Sequence, residues 1–181
     1  MVNVWFTSDT HFGHFNIIEY TNRPFKSSAH MNRELIKKWN ERVKPEDTVY
    51  FLGDFCFKSM SGKGNGDPTK AQSYIKQLNG NIIFVKGNHD TNNGLNTKTK
   101  ALLIGMGGLD IYCVHNPIDS NNAFKLNLVG HVHGVWKSRP DTKFGVKTIL
   151  INVGVDVWNF YPISFKEIMD EYDKCSQSKP L

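Results

Sequence analysis

The stretch Val2-Asn-Val-Trp-Phe-Thr-Ser8, followed at once by Asp9-Thr-His11, carries the first decision about the fold. It is apolar, β-branched or aromatic at most positions, as a buried strand is, and it stops abruptly at polar groups delivered to a loop. The arrangement recurs. Thr48 to Leu52 reads as a second short strand running into Gly53-Asp54, and Asn81 to Lys86 as a third running into Gly87-Asn88-His89-Asp90. Between the first two, Ser28 is placed to cap a helix whose apolar positions Met31, Leu35, Ile36, Trp39 and Val43 recur at about the helical period, with Pro45 closing it. Asp67-Pro68 opens another helix, with Ala71, Tyr74, Ile75 and Leu78 on one face and Asn79-Gly80 as its stop. This first half is βαβ-like, its helices packing on a sheet. Lys58 to Asp67, with three glycines among polar residues, reads as a surface loop, because no strand-to-helix pattern surrounds it as a phosphate cradle requires.

The second half holds closely spaced strands: Ala101 to Met106, a Gly107-Gly108 turn, Leu109 to Val114, Leu126 to Val129, and Thr148 to Val153. Their spacing implies some antiparallel pairing. Ser164-Phe-Lys-Glu167 has the form of a capping box and opens a last helix bearing Ile168, Met169 and Tyr172. A single domain is expected over residues 1–175, with a polar tail over 176–181, and 181 residues suit one unit on a prior of roughly 150 per domain.

Composition narrows the class. With 39% hydrophobic and 12% aromatic residues the chain is not disordered, and its net charge of +5 is spread as +3 over residues 1–90 and +2 over 91–181. An even, mild excess is a solubility feature more often than a nucleic-acid surface. Cys56, Cys113 and Cys175 are far apart and odd in number, forming neither a metal clip nor a disulfide framework, which fits a reducing compartment. The first residues lack a basic leader, and the longest apolar stretch, Ala101 to Val114, is broken by glycines and Asp110. A cytoplasmic protein that does not span a membrane is the expectation.

Five separate strand ends therefore deliver metal-ligand residue types: Asp9 and His11; Asp54; Asn88, His89 and Asp90; His115; and His131 with His133. Five of the seven histidines fall there. Imidazole and carboxylate donors without cysteine suit a hydrolytic site for Mn²⁺, Fe or Zn²⁺ better than a structural zinc site. Glycine before Asp54, Asn88 and His131 lets the backbone turn sharply there. Taken singly, each of these residues reads as a cap or turn former; taken together, they do not.

Asp9-x-His11, Gly53-Asp54, Gly87-Asn88-His89-Asp90, His115 and Gly130-His131-Val-His133 resemble the calcineurin-like metallophosphoesterase superfamily, in the superfamily's own order and over about two thirds of the chain. Thr7-Ser-Asp-Thr-His-Phe-Gly-His14-Phe-Asn-Ile-Ile18 is also similar to a subgroup of small bacterial and phage-type phosphoesterases. The resemblance implies an α/β fold, a four-layer α/β/β/α sandwich of two mixed sheets with the site at the strand ends. It implies two divalent ions, most readily Mn²⁺, with Fe, Zn²⁺, Ni²⁺ or Co²⁺ compatible. Asp9, His11 and His133 would hold one ion, Asn88, His115 and His131 the other, and Asp54 would bridge them. His89 and Asp90 would form a catalytic pair, His89 serving the leaving oxygen and Asp90 fixing its tautomer. The implied activity is phosphodiester hydrolysis by a dinuclear-metal hydroxide mechanism, on a nucleotide, a cyclic nucleotide or a nucleic-acid end. A small-molecule phosphatase and a non-catalytic scaffold are the alternatives. Intervals of 33 positions from Asp54 to Gly87 and 25 from Asp90 to His115 leave no room for a cap domain, so the site should be open.

Other residues stay open in the sequence. His14 is a substrate contact or outer donor, or a surface loop histidine; Arg23 grips a phosphate oxygen, or is an ordinary turn arginine. Cys56 and Cys113, each two residues from a ligand position, face the site or are buried apolar groups. Asn152 is a structural turn or a substrate contact, and Trp158 and Phe160 are an aromatic wall or core. Gly53-Asp54-Phe-Cys-Phe57 lacks the further acidic residue that many relatives carry after this motif. The physiological substrate and the oligomeric state are not readable from these residues.

Overall fold

A computed structural model describes residues 2–57, 71–91, 93–142 and 148–177. Its strands and helices run β1 (Val4–Thr7), α1 (Asn16–Tyr20), α2 (Ser28–Arg42), β2 (Thr48–Leu52), α3 (Ala71–Ile75), β3 (Asn81–Val85), β4 (Ala101–Met106), β5 (Leu109–Val114), β6 (Leu126–Val129), β7 (Ser138–Asp141), β8 (Thr148–Asn152), β9 (Ile163–Ser164) and α4 (Phe165–Gln177). They form two mixed sheets, ordered β3-β2-β1-β9 and β4-β5-β6-β8-β7. In the first, β1, β2 and β3 are parallel and β9 is antiparallel to β1. In the second, β5, β6 and β8 are parallel while β4 and β7 run against their neighbours. The α/β class legible in the strand and helix pattern, and the two mixed sheets implied by the family resemblance, are what the chain adopts.

Each sheet therefore contributes three parallel strands, and the loop after every one of the six carries polar residues of the site. Brought together, these carboxyl ends make a crevice of the kind in which open α/β sheets place their ligands.

Alternation along the strands sorts the core. Val49 and Phe51 of β2 face α2 and α3, packing with Leu35, Trp39 and Tyr74. Phe6, Leu52 and Val85 face the second sheet and meet Ile111, Cys113, Leu126, Leu128, Ile149 and Ile151. α4 packs on β7, β8, β9 and β1, with Ile168 and Cys175 in the same cluster. On the other face of the second sheet, Val114, Val129 and Leu150 gather with Tyr112 and Trp136. Cys113 lies in the inter-sheet core and Cys56 in the helix-side core, both buried, and burial pushes each thiol up to about 12; they are inert packing groups.

Several boundaries differ from the sequence reading. The α2 cap is Ser27, whose side chain accepts from the His30 N–H at 3.1 Å, one residue before Ser28. Ser28 falls inside the first turn. β7, Ser-Arg-Pro-Asp, has no apolar alternation and was not readable; it lies at a sheet edge, where proline is tolerated. β9 and α1 are two and five residues long, below the length at which a period shows. The Gly107-Gly108 turn holds, with φ of 58° and 76° and Met106 paired with Leu109. So does the capping box, in which Ser164 donates both its N–H and its hydroxyl to Glu167 at 2.9 Å. Ser176 and Gln177 continue α4, so the helix runs into the expected tail. The Lys58 to Asp67 loop and the helix start at Asp67-Pro68 lie outside the described residues.

Candidate metal centre

Asp9, Asp54, His131 and His133 each follow a strand by two or four residues and, with His11, hold left-handed backbone: φ is 58° at Asp9, 49° at His11, 59° at Asp54, 70° at His131 and 47° at His133. Such φ is uncommon outside glycine and is sustained only where surroundings enforce it. Here they do. Asp9 N–H donates to the Gly53 carbonyl at 3.0 Å and His11 N–H to the Asp54 carbonyl at 3.1 Å, while His131 N–H donates to Asp9 Oδ2 at 2.9 Å. The sharp turning expected of the preceding glycines is thus done largely by the polar residues themselves. Gly53 does turn, with φ of 91°; at Gly130 what matters is space, since a Cβ would lie 2.5 Å from both Asp9 Oδ2 and Ser8 Oγ.

Two sets of donor atoms result. In Asp9, His11 and His133, and again in Asp54, His115 and His131, one donor atom from each residue lies within 4.8 Å of the others. Asn88 Oδ1 joins the second set, 2.9 Å from His115 Nε2 and 3.0 Å from His131 Nδ1. Asp54 Oδ2 stands between the sets, 3.5 Å from His11 Nε2 and 3.4 Å from His115 Nε2. Its other oxygen accepts the His89 N–H at 2.8 Å.

The hydrogen bonding shows what this cluster lacks. Asp9 Oδ1 and both ring nitrogens of His11 are buried with no hydrogen-bond partner. An unsatisfied buried polar atom costs about 1–3 kcal/mol, so the unused lone pairs on Asp9 Oδ1 and on the unprotonated nitrogen of His11 mark a place built for a cation. Asp9 Oδ2, by contrast, is saturated by Ser8 Oγ–H at 2.6 Å and the His131 N–H. The donor set of carboxylate, imidazole and amide oxygen fits a pair of divalent ions.

Electrostatics agree. Burial pushes His11 well below 6.5, with the Arg23 charge acting the same way, so it is a neutral imidazole with a free lone pair. Burial raises Asp9 above the usual carboxylate range against the pull of His115 and His133. At His115 burial is outweighed by the hydrogen bond and charge of Asp54, and the ring is raised to about 9; its Nδ1 lies 2.7 Å from the Leu52 carbonyl. Asp54 is correspondingly lowered, its burial outweighed by His115 and the His89 N–H.

His89 projects beside this cluster, exposed, with its ring centroid 5.3 Å from that of His11. Asp90 does not serve it. The Asp90 carboxylate accepts the backbone N–H groups of Asp54 (2.8 Å), Phe55 (3.0 Å) and Gly87 (2.9 Å) and the Asn93 amide (3.0 Å). The expected His89–Asp90 pair is therefore corrected: Asp90 ties the loops after β2 and β3 together, because three backbone donors with no strand partner converge on it.

Arg23 is corrected too. It is 4% exposed, and its guanidinium is engaged by Asp156 and by the Asp9 and Thr10 carbonyls, leaving it no phosphate to grip. His14 lies at the site, 9% exposed, its ring stacked on Phe57 at 4.1 Å and 5.4 Å from His11. Burial and the neighbouring His89 charge lower it to about 4, so it is neutral. Asn152 is structural: its amide donates to the His133 and Trp136 carbonyls at 2.7 and 2.9 Å, pinning the loop that carries His133. Trp158 donates to the Asn152 carbonyl at 2.7 Å and lies under Lys137, while Phe160 packs on Phe25; neither builds a wall of the site. Asp156, which accepts from His133 Nδ1 at 2.9 Å, escaped the sequence reading. Its signal was being the one carboxylate in the apolar run 148–158.

A family model described as calcineurin-like phosphoesterase matches residues 2–168. The chain is 36% identical over 178 residues to the uncharacterized protein MJ1445 of Methanocaldococcus jannaschii, covering 96% of this chain and 93% of that protein. It is 33% identical over 103 residues to the gene 66 protein of Mycobacterium phage L5, covering 57% of this chain and 47% of the phage protein. Among solved structures it is similar to AQ665, a protein of unknown function from Aquifex aeolicus, with a TM-score of 0.69, 26% identity, and coverage of 94% of this chain and 100% of the other.

Proposed function

Because the chain belongs to the calcineurin-like phosphoesterase family, we propose that it is a metal-dependent phosphoesterase that hydrolyses phosphodiester bonds in a nucleotide, a cyclic nucleotide or a nucleic-acid end. The observation that carries this reading is the placing of Asp54 Oδ2 between two donor sets, one of which keeps three buried polar atoms unpartnered. Asp9, His11 and His133 would hold one divalent ion, Asn88, His115 and His131 a second, with Asp54 shared. Two such ions, Mn²⁺ first among those the family resemblance implies, would supply Lewis acidity to phosphoryl oxygens and a water acidic enough to be the nucleophile at neutral pH.

The chain's own residues do the remainder. His89, exposed beside the cluster, protonates the leaving oxygen, held in place through its backbone N–H on Asp54 rather than through its ring. His14, neutral and braced by Phe57, lines the approach as a polar contact for substrate. Asn88 and His89 are both exposed, which suits an extended diester better than an enclosed monoester. Three buried cysteines outside any disulfide fit work in a reducing cytoplasm, and no helix among the described residues is long and apolar enough to cross a membrane.

The test is hydrolysis of bis-p-nitrophenyl phosphate beside p-nitrophenyl phosphate by chelator-stripped protein refilled with Mn²⁺, with Asp54→Ala as control. Mn²⁺-dependent turnover favouring the diester, absent in Asp54→Ala, is expected. Monoester preference would move the reading to a phosphatase, and full activity in Asp54→Ala would remove it.

A further inference from the structure

Behind His133 lies a buried ion pair for which hydrolysis itself has no use. Arg23 Nε and Nη2 donate to Asp156 Oδ1 and Oδ2 at 2.8 and 2.9 Å. The same guanidinium donates to the Asp9 carbonyl at 2.7 Å and to the Thr10 carbonyl at 3.0 Å. Asp156 Oδ2 faces His133 Nδ1 at 2.9 Å. A carboxylate gripped by a guanidinium can only accept, so His133 carries its proton on Nδ1 and keeps the Nε2 lone pair for a ligand. One short chain of contacts, Asp9 backbone to Arg23 to Asp156 to His133, thus joins the loop after β1 to the loop after β6.

We propose that Asp156 is a positioning residue for one half of the centre only: clamped by Arg23, it fixes the tautomer and ring orientation of His133 and so sets the affinity of the Asp9/His11/His133 ion. Among the described residues, the other half has no carboxylate in that role. His115 Nδ1 leans on the neutral Leu52 carbonyl, and His131 Nδ1 meets Asn88 Oδ1, itself a donor of that set. A hydrogen-bonded outer partner governs the basicity and aim of a metal-binding imidazole, and loss of one typically costs 10- to 100-fold in affinity. The effect of Asp156 should fall on a single ion, leaving the other as it was. This inference rests on the two-ion reading above.

The experiment is titration of metal-stripped full-length protein with Co²⁺, followed by calorimetry and by the visible ligand-field bands, with metal content counted by elemental analysis. Wild type is expected to take two ions per chain. Asp156→Asn, which keeps the volume and removes the charge, is expected to keep one affinity unchanged and weaken the other about 10- to 100-fold. The weakened ion should be the one lost in His133→Ala, whereas His115→Ala loses its counterpart. Should Asp156→Asn fail to fold because Arg23 is left uncompensated, Arg23→Met combined with Asp156→Asn removes both charges and goes through the same titration. Unchanged binding of both ions overturns the inference, and so does equal weakening of both, which is what a general loosening of the fold produces. Wild type that takes fewer than two ions overturns the two-ion reading instead.

Discussion

Asp9, His11, Asp54, His131 and His133 combine a ligand-type side chain with left-handed backbone, a conformation that costs of order 1–3 kcal/mol per residue. That strain is held by backbone hydrogen bonds between loops and by the Asp90 carboxylate, so the chain itself holds these donor atoms in place. Preorganisation of this kind separates residues that hold ions from residues that move protons. His89 belongs to neither donor set, and its ring lies beyond them. His89→Ala is therefore expected to lower kcat by about 10²- to 10⁴-fold while metal content, read by elemental analysis, stays at the wild-type value. Loss of metal together with activity would place His89 among the ligands. The residue types were legible in the sequence because carboxylate and imidazole clusters after apolar runs are rare. The roles of Asp90, Arg23 and Asp156 were not, because each is decided by which backbone donors and carbonyls end up buried beside it, and those come from segments distant in sequence.

At the scale of elements, β1, β2 and α2 meet at Asp47, a buried carboxylate just before β2. It accepts the Asn3 N–H (2.8 Å), the Trp5 indole N–H (2.9 Å), the Lys44 N–H (3.0 Å) and the Asn3 amide (3.2 Å). Burial alone would raise its pKa, but these donors outweigh burial and hold it at about 2, below the usual 3.8. A depressed carboxylate contributes stability that is complete above the unfolded value and is lost as pH falls through the folded one. Urea midpoints of the wild type should thus drop between about pH 3.8 and pH 2, and Asp47→Asn, less stable at pH 7 by about 1–3 kcal/mol, should be flatter over that window. A parallel decline in both proteins would show that other carboxylates govern acid unfolding. The strands of this region were readable to within a residue or two because β-branched and aromatic runs signal burial. Asp47 was not singled out, since nothing near it in sequence tells that three donors from the start of the first strand will converge on it. β7 stayed invisible for a related reason: it is a strand by its hydrogen bonds to β8, not by its composition.

For the whole molecule, the centre is also a structural joint. The first donor set draws Asp9 and His11 from the first sheet and His133 from the second; the other draws Asp54 and Asn88 from the first and His115 and His131 from the second. Without ions, two carboxylates and several imidazoles face one another across the seam with Asp9 Oδ1 and the His11 nitrogens unpartnered, a net penalty on the folded state. Ions bound only by the folded chain offset that penalty, which is already counted in Kd, and each stabilises the fold by about 4 kcal/mol at a thousand times its Kd. For a domain of this size each kcal/mol is about 2–4 °C in Tm, so chelator treatment should lower Tm by roughly 10 °C for each ion removed, and Mn²⁺ should restore it in a concentration-dependent way. Because Asp54 is shared between the sets, Asp54→Ala should melt near the chelated wild type and respond little to Mn²⁺. A wild-type Tm indifferent to chelator and to added Mn²⁺ would mean that the two sheets are joined by their apolar interface alone, with the ligand cluster a passenger at its edge.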